Sequence, residues 1–307
     1  MDQTVSRQLA PKIEKAAHAR EAMESLLDTV PCDICGSTRS RLLFRKRETR
    51  SWWVAKCADD ARLDRDHEFS FVRCSECRHV YVNPRLASAI NDDIYARYWR
   101  SHEPPNVAPN PYGAYVCRQL ATLRARGDLL DFGSGWGSVL NEAARAGWRA
   151  TGIEVDERKI AFCREQGLNA VYGDLLAQPF APATFDAAIA EQVFEHLYSP
   201  VSYLKELHRV LRPGGVLYVA VPNFGSIAAK LRGKHWEYVH PASHVRYFDR
   251  RSLSDLALRC GFETLKPNYV PRGTSALARA SYAAKTFIER NLRYYPLEGL
   301  ALYLRKL

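Results

Sequence analysis

The sequence predicts an α/β protein: a doubly wound, seven-stranded, mostly parallel sheet, preceded by a small zinc-ribbon-like module. Three observations carry that expectation. From Asp128 onward, short apolar strand-like runs alternate with helical patterns, as a parallel sheet with crossover helices requires. The first run, Leu129-Leu130-Asp131-Phe132, enters a glycine-rich turn, Gly133-Ser134-Gly135-Trp136-Gly137, with a helix opening behind it. Ahead of both, Cys32/Cys35 and Cys74/Cys77 form two Cys-x-x-Cys pairs at metal-ligand spacing.

A chain of 307 residues has room for one large α/β domain and a smaller module. Residues 1–29 are rich in Ala, Glu and Lys and carry no apolar stripe wide enough to face a core, so a helical lead-in is expected. The module is expected over 30–84. Each cysteine pair makes a tight turn that aims two thiolates at one point, and two such turns complete a closed, tetrahedral, structural zinc site. Strand-like runs over 41–44 and 69–72 lie between the pairs, and the long intervening loop leaves Cys57 and His67 as competing ligands. Residues 85–127 resemble a connector. Ile94, Tyr95, Tyr98 and Trp99 make a helix face, either packing or a lid; Pro104, Pro105, Pro109 and Pro111 then break regular structure. A helix over 115–126 follows.

The large domain is expected over 128–307. Strands are expected over 129–132, 150–153, 170–172, 185–190, 216–221 and 262–265. Helices should cover 138–146, 157–165, 201–211 and 252–260. Arg212-Pro213-Gly214-Gly215 should turn the chain into the fifth strand. An irregular stretch over 222–249 is the place for substrate contacts, a helix is inserted near 278–290, and 301–304 closes the sheet as an antiparallel strand.

The formal charge of +10, from 44 basic and 34 acidic residues, is spread along the chain without a dense basic block. It suggests a mild preference for anionic substrates or surfaces and makes nucleic acid an unlikely partner. No apolar run is long enough to cross a bilayer and no leader pattern opens the chain, so the cytosol is the expected compartment. In that compartment paired cysteines point to metal. Cys57 and Cys117 are isolated in sequence, as are Cys163 and Cys260, which sit on helical patterns as buried apolar side chains. The basic C-terminal residues (Arg279, Lys285, Arg290, Arg293, Arg305, Lys306) are a solvated helix face or a weak contact with an anionic membrane.

A pyrophosphate-binding turn requires Gly-x-Gly-x-x-Gly; here the pattern is Asp-x-Gly-x-Gly-x-Gly, whose carboxylate suits a cationic ligand. The stretch resembles motif I of the class I S-adenosylmethionine-dependent methyltransferases, which are Rossmann-like. The resemblance covers about 128–265 and continues in order through Glu154, Asp174, Glu195-His196 and Arg212-Pro213-Gly214-Gly215. It implies that Asp131, Gly133, Ser134, Gly135 and Gly137 cradle the donor's amino-acid end. Glu154 would accept from the ribose hydroxyls and Asp174 from the adenine amine, with Leu175 bordering the ring and Gln192 lining the methionine side. On the residues alone, Glu154 serves NAD equally well, and Asp174 is also a plain Gly-Asp loop turn.

Bacterial methyltransferases with an N-terminal zinc-binding segment are similar, sugar C-methyltransferases among them, and ubiquinone-type O-methyltransferases share the Glu-His pair. Two departures stand out. Gln192 replaces the first Glu of the ubiquinone-type Glu-x-x-Glu-His, which puts a catalytic divalent metal in doubt. The run Pro241-Ala242-Ser243-His244 keeps only the His of the sugar enzymes' Tyr-x-Glu-His. His196 and His244 are therefore the candidate bases, with His240 and Tyr238 behind them; the alternative is histidines that hold loops. Glu195 braces that loop or touches substrate. S-adenosylmethionine and a structural zinc are the implied cofactors. The acceptor is a small molecule with a hydroxyl or activated carbon, such as a sugar, nucleotide-sugar or lipid-linked intermediate. RNA methylation and cofactor binding without turnover are the alternatives; against RNA, the zinc segment lacks interleaved basic and aromatic residues.

Overall fold

The computed structural model describes residues 26–48, 67–90, 109–265 and 298–307. Cys57, the aromatic face of residues 94–99 and the helix expected near 278–290 lie outside the described residues. The N-terminal module comprises β1 (Leu27–Asp28), β2 (Ser40–Glu48), β3 (His67–Cys74), β4 (Val80–Val82) and β5 (Arg85–Leu86). Strands β2, β3 and β4 form an antiparallel meander with a bulge between Leu42 and Phe44, and β1 pairs with β5. The lead-in expected to be helical thus ends in a strand, because Leu27 and Asp28 find backbone partners in Leu86 and Arg85. The earlier residues of that lead-in lie outside the described residues.

The large domain runs α1 (Pro111–Leu123), β6 (Asp128–Phe132), α2 (Ser138–Arg145), β7 (Arg149–Glu154), α3 (Glu157–Glu165), β8 (Ala170–Tyr172) and β9 (Phe185–Glu191). It continues through α4 (Pro200–Val210), β10 (Leu211–Pro222), α5 (Ile227–Arg232), β11 (Arg246–Tyr247), α6 (Arg250–Arg259), β12 (Phe262–Leu265) and β13 (Gly299–Lys306). Seven strands form one sheet in the order β12-β13-β10-β9-β6-β7-β8, with only β13 reversed against its neighbours. From β6 the chain steps outward to β7 and β8, then returns to β9 on the opposite side. The carboxyl ends of β6 and β9 therefore open the crevice where a doubly wound sheet takes its ligand. No helix among the described residues is long and apolar enough to cross a membrane.

Three local expectations are corrected. Pro111 does not break structure: it opens α1 at the first helical turn, where a missing N–H is harmless, behind the cap that Asn110 provides to the Gly113 N–H. Arg212-Pro213-Gly214-Gly215 is no separate turn but a bulge inside β10, where Leu211 pairs with Phe185 and Val216 with Ala187. The 222–249 stretch is not irregular throughout, since it contains α5, a 3₁₀ turn over Gly233–His235, and β11. Strand β11 pairs with β4 and completes a four-stranded sheet, so the end of the 222–249 stretch is built into the N-terminal module. One apolar cluster runs across both parts, joining Cys32, Ile34, Val72, Cys74 and Tyr81 to Phe194, Leu217 and Phe248.

Candidate active site and metal centre

The glycine turn is strained in a way only glycine tolerates. Gly133 has φ +75° and Gly135 φ +54°. A Cβ on Gly133 would lie 2.5 Å from Val193 Cγ2, so the loop after β9 closes directly over the turn. A Cβ on Gly135 would meet nothing within 4 Å, which marks the open side. Glu154, at the end of β7, ties the turn in place: Oε2 accepts from the Gly135 N–H at 3.0 Å, and Oε1 accepts from the N–H groups of Val155 and Asp156.

Asp131 is buried beneath this turn. Burial, then Glu191 and Glu154, push its carboxyl up to about 8. Among the described residues, Asp131 Oδ2, Ser134 Oγ and Gln192 Nε2 are buried without a hydrogen-bond partner. A carboxyl, a hydroxyl and an amide donor left unpaired on and beside the glycine turn are the kinds of group that bond an amino-acid end. Gln192 holds the left-handed region at φ +55°, and its N–H is anchored to the Ala220 carbonyl at 2.8 Å. Asp174 caps the 3₁₀ turn Leu175–Ala177 through Leu176 N–H at 2.7 Å, and its other oxygen accepts from the Tyr203 hydroxyl. Leu175, expected beside an adenine ring, is wholly inside the core, and its neighbour Leu176 is the exposed one at 46%.

Beyond Gln192 the loop brings Glu195 and His196 against His244. The two imidazoles meet edge to face with centroids 4.8 Å apart. His196 Nδ1 donates to the Ser243 carbonyl and His244 Nδ1 to the Tyr238 carbonyl, each at 2.9 Å. A carbonyl can only accept, so both rings carry hydrogen on Nδ1 and keep the basic lone pair on Nε2. Burial lowers His196 to about 4; burial, with His196 and His240 nearby, takes His244 well below its ordinary value. Glu195 is buried, its carboxyl raised to about 8 by burial, and makes no side-chain hydrogen bond to another described residue. Ligand atoms of Glu195, His196 and His244 all lie within 4.8 Å of one another.

The four cysteines converge equally well. Their Sγ atoms lie within 4.8 Å of one another, with Cys32 to Cys77 and Cys35 to Cys74 each at 3.5 Å. Each pair forms a backbone knuckle: the Gly36 N–H donates to the Cys32 carbonyl, and the Arg78 N–H to the Cys74 carbonyl. Gly36 and Arg78 adopt φ +73° and +65° to close these turns. Four sulfurs at one point form the donor set that a zinc ion takes. His67, held open as a ligand, is not among the residues that converge.

A family model described as a methyltransferase domain matches residues 107–266. The chain belongs to the methyltransferase-domain family. A Mycolicibacterium smegmatis protein named "Probable S-adenosylmethionine-dependent methyltransferase" is 34% identical over 48% of this chain and 56% of its own length. The ubiquinone biosynthesis O-methyltransferase of Caulobacter vibrioides is 34% identical over 36% of this chain and 47% of its own length. The chain spans about half the length of these curated relatives. A crystal structure of a SAM-dependent methyltransferase from Archaeoglobus fulgidus overlays with a TM-score of 0.47 at 18% identity, covering 65% of this chain and 95% of that one.

The methyltransferase domain thus gathers Asp131, the glycine turn, Glu154 and Gln192 at the crevice, with the two histidines one short loop away. Sequence reasoning assigned no role to three neighbours. Glu191, raised to about 7 by burial, adds a half-buried carboxyl beside Asp131. Tyr203 fastens Asp174 from α4 and stacks on Phe132. Val193 seals Gly133. Glu191 stands beside Gln192 at a strand end, a position that could have flagged it; the other two depend on tertiary contact alone.

Proposed function

We propose that the chain transfers a methyl group from S-adenosylmethionine to a hydroxyl or activated carbon of a small acceptor of the sugar or nucleotide-sugar class. In this reading Asp131, Gly133, Ser134, Gly135, Gly137, Glu154, Asp174 and Gln192 hold the donor, while Leu175, enclosed in the core, does not reach it. The observation that carries the reading is the pair of adjacent, half-buried imidazoles, each locked through Nδ1 to a main-chain carbonyl, beside the loop that seals the glycine turn. Locking Nδ1 presents Nε2 as the base, and burial keeps both rings neutral and therefore able to take a proton. The bound donor supplies an electrophilic methyl. His196 and His244 orient the acceptor behind that carbon and remove its proton as the new bond forms. Exposed Lys230 and Lys234, on the segment leading to His244, support an anionic acceptor. Cys32, Cys35, Cys74 and Cys77 hold one structural zinc, whose four thiolate ligands leave no position for substrate.

Incubation with methyl-labelled donor and a panel of sugars, nucleotide-sugars and quinols tests the reading. Label should pass to one class, and His196→Ala or His244→Ala should slow transfer by roughly 10²- to 10⁴-fold while product-analogue affinity persists. Undiminished transfer by the double variant would remove the histidines from the chemistry.

A further inference from the structure

Residues 243–246 join the metal knuckles to the histidine pair. The Ser243 carbonyl accepts from His196 Nδ1 at 2.9 Å, and His244 follows it. The N–H groups of Val245 and Arg246 both donate to the Glu195 carbonyl, at 3.0 and 3.3 Å. Arg246 and Tyr247 form β11 against Tyr81 and Val80. The Arg246 side chain has no exposed surface, and its Nη1 donates to Asp33 Oδ2 at 2.6 Å. Its Nε and Nη2 have no hydrogen-bond partner among the described residues, so its side-chain hydrogen bond there is to Asp33, while Arg85 opposes its charge and Cys32 and Tyr198 favour it.

Asp33 stands inside the first knuckle, between Cys32 and Cys35, and also accepts from Arg85 through two bonds of 2.9 and 3.1 Å, sharing Oδ2 between the two guanidinium groups. Four sulfurs within 4.8 Å of one another form a donor set that a shared cation would hold together. A filled cysteine site would fix where Asp33 lies; Asp33 holds Arg246, and Arg246 opens β11 directly after the Ser243-His244 segment whose Ser243 carbonyl bonds His196. The donor side is tied differently: Glu154 bonds to the glycine turn and to its own loop, with no hydrogen bond to the module among those described.

We propose that Asp33 and Arg246 are positioning residues whose buried ion pair transmits occupancy of the four-cysteine site to the alignment of His196 and His244, leaving donor binding unchanged. The proposal rests on the reading of the cysteines as a zinc site and the histidines as the base pair. Zinc content and methyl transfer report on that reading, whereas histidine spectra report on the coupling, so the two fail separately.

The test uses full-length protein labelled with ¹⁵N-histidine, with signals assigned through His196→Ala and His244→Ala. In zinc-loaded protein both rings should show protonated Nδ1 and bare Nε2. Stripping zinc with a chelator should scramble both signatures while affinity for S-adenosylhomocysteine, measured by calorimetry, stays within about threefold. Asp33→Asn should scramble them with zinc still bound, and Asp33→Glu should restore them. Arg246→Met leaves the knuckle sequence intact and should do the same as Asp33→Asn, which covers the case where the Asp33→Asn variant sheds its zinc. Unchanged histidine signatures in zinc-loaded Arg246→Met protein would overturn the proposal. Loss of S-adenosylhomocysteine binding together with the signatures would overturn it too, because the module would then only be holding the whole domain together.

Discussion

Replacing Asp131 with Asn removes a carboxyl that burial, reinforced by Glu191 and Glu154, raises to about 8. The unfolded chain titrates that group near about 3.9. Between those values the folded protein, without ligand, holds a proton that the unfolded chain has released. The stabilisation is therefore complete below about pH 4 and is lost as pH rises through about 8. One proton over the two units from pH 5 to pH 7, at about 1.36 kcal/mol per unit, amounts to about 2.7 kcal/mol. The amide introduced by Asp131→Asn is neutral throughout and contributes no such slope. Glu191 and Glu195 are raised in the same direction, to about 7 and about 8, so the parent curve falls more steeply than this one site accounts for. Subtracting the variant's curve isolates Asp131. Urea denaturation of ligand-free parent and variant at pH 5, 6 and 7 should show the parent losing about 2.7 kcal/mol relative to the variant. A cationic ligand favours the ionised carboxylate, so S-adenosylhomocysteine should bind the parent more tightly as pH approaches 8, with proton release, and the variant with no such trend. Parallel stability curves would refute the reasoning, since they would mean that Asp131 is already ionised in the folded protein.

The remaining predictions are structural. Gly133→Ala places a Cβ 2.5 Å from Val193 Cγ2 at φ +75° and should cost about 2–3 kcal/mol in thermal melts; adding Val193→Ala should recover the steric share and leave the backbone share. Cys74→Ser should bring zinc below half an equivalent by elemental analysis and remove hydrogen-exchange protection from β3 and β4, whereas a full equivalent would contradict the four-cysteine assignment. Asp186 accepts from Arg124, Arg212 and the Asp128 N–H at the start of β6; Asp186→Ala should therefore destabilise the protein by about 1–2 kcal/mol in denaturant titration, since both arginines are partly exposed and Arg212 keeps Asp128.

The parts of this fold visible in the chain are those written in short-range pattern. Leu129-Leu130 before three glycines, and Ile153 before Glu154, mark buried strands ending at the crevice, because apolar periodicity and left-handed turns are local properties. The cysteine spacing is equally visible, since a knuckle is complete within a few residues. Pro111 misleads because proline at a first helical turn and proline that ends a helix look alike until the cap at Asn110 is seen. Arg212-Pro213-Gly214-Gly215 has the composition of a turn, and only the pairing of Leu211 with Phe185 turns it into a bulge.

What stays hidden is decided by distant partners. Arg246-Tyr247 is two residues long, too short for any alternation, and is a strand only because Val80 and Tyr81 offer their edge. Asp33 looks like the filler of a metal knuckle and Arg246 like one basic residue among 44, yet they meet as a buried pair. A buried guanidinium is costly without its counter-charge, so this contact constrains the chain more tightly than a surface pair would. It also joins two motifs that look like separate modules in the sequence. His196 sits on the loop after β9 of the α/β sheet, but the Ser243 carbonyl it bonds belongs to a segment that runs into β11, which pairs with β4 of the cysteine module. Losing the cysteine module should therefore cost alignment of the histidines before it costs the donor pocket.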